Sequence, residues 1–191
     1  KDRCAMPAPI ASEQSVVPLT ELLGQVRRAS GGRLLALHTD LARSPAVLAA
    51  YLGLRRAGSD YGTLVPMMRA AIMLAVGVAY DGAYSQAIAT QLAIDAGMTP
   101  EQTVAVRTGQ IADARLAAML AVMREAAVNT GRVTEATWAA AAAAAGWSVA
   151  QLTEAFVFLA LTVFVDYFTH YVHTELDVPP APPVPSEGSN R

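Results

Sequence analysis

Thiols are almost absent from this chain. Its single cysteine, Cys4, lies in an N-terminal stretch without sustained periodicity, so an internal disulfide and a C-x-x-C redox pair are both excluded and no oxidising compartment is implied. No histidine or helix start stands near Cys4 to activate it, and it reads as an incidental thiol. Charge is scarce as well, at 16% of residues against an average near 25%. The net charge of -2 and the lack of a basic helix stripe argue against a nucleic-acid footprint. No uncharged apolar run approaches the roughly 20 residues that a bilayer requires: the run from Ala155 to Val165 is bracketed by Glu154 and Asp166, so no membrane partner is expected. A Gly-rich phosphate loop, a nucleophile elbow and a Rossmann fingerprint are also missing. No leader is visible, though the chain begins with Lys1, and a cytoplasmic protein is expected.

What the chain has in plenty is apolar helix. Its 191 residues suffice for one domain with a full core. With a mean hydropathy of +0.33, an isolated helical domain would have little polar surface to cover it, so some apolar faces are expected between subunits. The spacing of Leu19, Leu22, Leu23 and Val26 predicts an amphipathic helix to Ala29, stopped by Ser30-Gly31-Gly32. Leu34 to Ala42 follows, carrying His38. Ser44-Pro45 then caps a helix to about Arg56, and Gly58 to Gly62 reads as a loop.

The chain is organised around Pro66 to Gly97, two apolar helical runs hinged at Tyr80-Asp81-Gly82. The first, Met67 to Ala79, opens after a proline and carries one charge, Arg69. The second, Ala83 to Ala96, presents Tyr84, Ser85 and Gln86 in its first turn and stops at Gly97. Beyond it Thr99-Pro100-Glu101-Gln102 starts a short helix that ends near Thr108-Gly109. Ala112 to Asn129 is a longer one with methionines as core filler. Thr134 caps a helix through the alanine run to Gly146, and Ala150 to His173 is the longest. Residues 1–17 read as an extended arm, 18–178 as one helical domain and the proline-rich 179–191 as a tail.

The hinge, the match Ala96-Gly97-Met98-Thr99-Pro100-Glu101-Gln102 to an A-G-[LM]-[ST]-x-E-[EQ] helix start, and the ending Thr174-Glu175-Leu176-Asp177-Val178-Pro179 carry a resemblance. Over roughly Leu34 to Pro179 the sequence resembles the carboxymuconolactone decarboxylase and alkylhydroperoxidase-D superfamily. That likeness implies an all-α, AhpD-like helical bundle assembled as a homotrimer or homohexamer. The family's chemistry is not retained. Its two cysteines fall on Gly82 and Ser85, its histidine on Ala89 and the acid of its R-E pair on Ala70, while Arg69 and Tyr84 keep their places. Thiol peroxidase chemistry needs a thiolate and a resolving thiol, and neither is there.

A replacement chemistry would fall to Tyr84, Arg69 and Ser85, with Arg69 stabilising negative charge and Tyr84 moving a proton. Tyr80, Asp81, Gln86 and His38 are candidate substrate contacts. The expected activity is a cofactor-free decarboxylation, elimination or isomerisation of a small anionic or cyclic substrate. Beside it stand a non-catalytic ligand-binding or structural protein, and a thiol peroxidase relying on Cys4 with an outside thiol. His170 and His173 read as helix-end residues rather than metal ligands, and no metal or cofactor is expected.

Overall fold

A computed structural model describes residues 18–184; Cys4, the expected N-terminal arm and the end of the tail lie outside them. Among the described residues the chain is all helical, as the periodicities predict. The elements are α1 (Leu19–Ala29), α2 (Ala36–Leu41), α3 (Pro45–Asp60), α4 (Pro66–Ala79), α5 (Ala83–Asp95), α6 (Pro100–Thr108), α7 (Ala114–Val128), α8 (Glu135–Ala139) and α9 (Val149–Val172).

The apolar helix α4 sits at the centre, with α5, α6, α7 and α9 packed around it, while α3 lies against α9 and α1. Two clusters make the core. One gathers Ile72, Leu74, Val76, Met119, Leu120 and Leu152; the other gathers Leu22, Val26, Leu41, Leu48, Leu161 and Val165. Both draw on α9. By length and composition that helix could cross a bilayer, yet Leu152, Phe158, Leu161 and Val165 are buried in the protein.

Helix ends follow local chemistry. Gly97, at φ 100, lets the Met98 N–H return to the Ala93 carbonyl at 2.9 Å. Thr99 and Gln102 then form a reciprocal capping box with Pro100 in the first turn. Gly146, Ser148 and Gln151 repeat the device at the start of α9.

Two expectations need correction. The segment from Gly58 is not a loop: α3 continues to Asp60, because a Cβ at residue 58 would come within 2.7 Å of the Phe158 ring, and glycine lets α9 cross there. The alanine run is not one α-helix either. After α8 it widens into a π turn over Ala140–Ala144, although alanine by itself is a strong α-helix former. The turn buries Ala141 completely, and beyond it the Trp147 indole donates to the Arg115 carbonyl at 2.8 Å.

Candidate active site

The hinge between α4 and α5 is a helix stop followed at once by a helix start. Asp81 takes a left-handed conformation, φ 51, which a short polar side chain tolerates. The Gly82 N–H returns to the Gly77 carbonyl at 2.8 Å, closing a Schellman turn. Gly82 then serves as N-cap of α5, with no side chain of its own to satisfy the helix's first N–H groups.

A residue from elsewhere packs against that position without capping it. Asp166, on α9, is wholly buried. Its carboxyl presses on Gly82 so closely that a Cβ there would lie 2.0 Å from Oδ1 and 2.6 Å from Oδ2. Neither oxygen has a hydrogen-bond partner among the described residues. Burial pushes the carboxyl up to about 7, and the nearby Ser85 hydroxyl, short of hydrogen-bond geometry, only partly opposes this. Ser85 is buried too, its Cβ packed near Gly77. Tyr80 stands close by, donating to the Ala127 carbonyl at 2.7 Å and meeting Tyr167 edge-on at 5.5 Å. Its phenol is raised by burial first, then by Tyr167 and by the charge of Asp166.

Tyr84 belongs to a separate polar group. Its hydroxyl donates to Asp177 Oδ1 at 2.8 Å and accepts from the Leu37 N–H at 3.4 Å. Burial, then Asp177, lifts it well above the usual phenol range. Asp177 also accepts from the Ala36 N–H at 2.7 Å, and Thr174 donates to Asp40 at 2.8 Å. The segment after α9 is therefore latched across the starts of α2 and α5. Nearby His38 accepts from the Leu35 N–H at 3.1 Å; burial first, and then Arg55, hold it down at about 4, against the pull of Asp177.

The remaining candidates are dispersed. Arg69 stands in the first turn of α4, eleven residues before Tyr80, or about 16 Å along the helix. It donates to the Leu64 and Gly62 carbonyls beside the Phe158 ring, in a loop whose Thr63 and Leu64 N–H groups are held by Glu154 at 2.8 and 2.9 Å. It does not join Tyr84. Gln86 donates to the Gly77 carbonyl and accepts from Arg107 at 3.0 Å, and Arg107 also donates to the Pro182 carbonyl. Asp81 is exposed. A groove of about 380 Å³ opens at the far end of α4, lined by Leu64, Met67, Met68, Leu116 and Trp147, away from the hinge.

No family model and no curated protein matches this sequence. Solved structures do resemble it. The debrominase Bmp8, as a cysteine-to-alanine variant in complex with 2,3,4-tribromopyrrole, is 14% identical with a TM-score of 0.70, the match covering 83% of this chain and 85% of that one. The apo debrominase is 14% identical with a TM-score of 0.69, covering 83% of this chain and 86% of that one. The chain has an AhpD-like helical fold. Likeness at that identity is one of fold alone.

Of the residues singled out in the sequence, the structure places Ser85 and Tyr80 beside Asp166 at the hinge; Asp166 itself was not among the candidates. The signal was present as a lone carboxylate inside the apolar stretch Val163-Phe164-Val165-Asp166-Tyr167-Phe168, where an ionisable group must be satisfied or made to work.

Proposed function

We propose that this chain is a cofactor-free enzyme acting on a small cyclic substrate at the start of α5, by proton transfer of the lyase or isomerase type. The observation that carries the reading is Asp166: a buried carboxyl without partners, poised near neutral pH at an uncapped helix start. A group with that affinity can both give and take a proton under ordinary conditions. In this reading Asp166 is the acid–base group, with Ser85 bonding the substrate beside it. Tyr84 positions the helix start through Asp177, and Arg69 fixes the loop before α4. Substrate size follows by analogy from a fold relative that binds a halogenated pyrrole.

The same reading has the protein work as a homo-oligomer, supported by the exposed aromatic residues Phe156, Tyr167 and Tyr171 along α9. The alternative, a non-catalytic ligand-binding or structural protein, draws on the complete burial of Asp166. Hydrogen–deuterium exchange into a panel of small rings in heavy water separates the two, because it needs no known product. The wild-type protein should label at least one ring C–H, and Asp166→Asn should slow that labelling by about 100-fold or more. A panel left unlabelled by the wild type, or labelled equally by Asp166→Asn, contradicts the enzyme reading.

A further inference from the structure

Helix α9 has two unlike sides. Leu152, Leu159, Thr162 and Thr169 are buried in the protein. Along the opposite side Val149, Thr153, Phe156, Tyr167 and Tyr171 are exposed, with Ala160 half-buried at their midpoint. Steps of three, four or seven residues keep these six on one line along an α-helix. The line carries no charge: α9 has no Lys or Arg, Glu154 turns to the Thr63 and Leu64 N–H groups, and Asp166 is wholly buried. His170, exposed in the last turn, stands at its edge.

The lack of basic residues removes the anchor that an amphipathic helix uses at an anionic lipid surface. It also leaves no charge pattern by which a chemically different partner would be selected and steered. A second copy needs neither, provided that the stripe fits itself, and its shape does. Thr153 and Tyr167 each stand seven residues from Ala160, and Val149 and Tyr171 each stand eleven. Two antiparallel copies turned about Ala160 therefore set Tyr167 over Thr153 and Tyr171 over Val149 at both ends, while the facing alanines let the helices approach closely. Parallel copies would crowd tyrosine on tyrosine at one end, leave a gap at the other and align the two helix dipoles.

The area suffices as well. Aromatic side chains carry roughly 150–250 Å² each. Phe156 and Tyr167 are more than half exposed and Tyr171 is more so, so a pair of stripes offers about 800 Å² from these residues alone. The rest of the stripe brings the total past the roughly 1,000 Å² expected of a specific interface.

We propose that two copies of this chain join through antiparallel α9 helices, with the two-fold axis at Ala160. The inference rests on the reading of the protein as a homo-oligomer and adds its contact and its symmetry. A contact of one surface with itself joins copies in pairs, so the assembly holds an even number of them.

The test uses the full chain with Cys4→Ser, which leaves no native thiol, and single cysteines along the stripe. On oxidation Ala160→Cys should link to itself as a covalent dimer, and Thr153→Cys should link to Tyr167→Cys when the two are co-expressed. Neither Thr153→Cys nor Tyr167→Cys should link to itself, because each position lies about 21 Å along the axis from its own copy, beyond disulfide reach. Ala160→Glu, checked for helix content, should weaken self-association at least about tenfold in analytical ultracentrifugation. Self-linking at Thr153 and Tyr167 without the mixed product, an odd number of copies in native mass spectrometry, or unchanged association of Ala160→Glu overturns the inference. If the protein is oligomeric and Ala160→Cys fails to link, the α9 contact falls and the homo-oligomer reading stands; if the wild type is a monomer, both fall.

Discussion

At Gly82 the backbone lies at φ -78 and ψ 88, open to any L-residue, yet a Cβ would sit 2.0 Å from Asp166 Oδ1. Glycine is required there for space. Gly82→Ala should therefore cost about 1–3 kcal/mol, the range for overpacking, measured by chemical denaturation; an unchanged midpoint would contradict the contact. Two buried titratable groups also set opposing pH dependences. Asp166 is raised from 3.8 to about 7, so between those values the native state holds a proton that the unfolded chain has released, and stability falls as pH rises. His38 is lowered from 6.5 to about 4, so in that window the unfolded chain holds the extra proton and stability rises with pH. The two slopes cancel over much of pH 4–6.5, with only the Asp166 slope left just above it. Thermal melts across pH should show Asp166→Asn gaining stability as pH rises from about 4 to 6.5, and His38→Gln losing it; parallel profiles for both variants would contradict the assignments. Asp166 was visible in the sequence as an isolated charge. Its landing on Gly82 was not, since helical period gives a face and says nothing of which distant turn that face will meet.

Between elements, the polar latch after α9 does what a longer loop would not. Asp177 joins the first turn of α2 to Tyr84 in the first turn of α5, while Thr174 reaches Asp40. Tyr84→Phe removes the hydroxyl shared by Asp177 and Leu37 and should cost about 1 kcal/mol. Amide exchange should quicken at Leu37 and after Thr174, with the interior of α4 unaffected; uniform quickening would mean that Tyr84 is simply core. Most elements were legible because their ends are written in local chemistry, as in Thr99-Pro100-Glu101-Gln102 and Ser148 with Gln151. The errors arose where tertiary packing decides. Gly58 looked like a loop residue until Phe158 needed its space, and Ala140–Ala144 carry no side-chain signal that separates an α turn from a π turn.

For the whole molecule, a sequence poor in charge and a longest helix with Phe156, Tyr167 and Tyr171 exposed suit burial against further copies. Native mass spectrometry should find a closed homo-oligomer, and Tyr171→Glu, at a residue 84% exposed, should reduce its mass without loss of helix content. A wild-type monomer would contradict that expectation. The helical fold was legible through its capping frame, whereas the buried carboxyl at the start of α5 was not, because it comes from α9 rather than from the hinge segment. The most direct test of the acid–base role proposed for Asp166 is a ¹³C NMR titration of aspartate carboxyls in the intact protein. One carboxyl should keep its proton to about pH 7, and its signal should be absent from Asp166→Asn. If every aspartate in the wild type titrates below about pH 5, the buried carboxyl at the start of α5 is not the proton-carrying group.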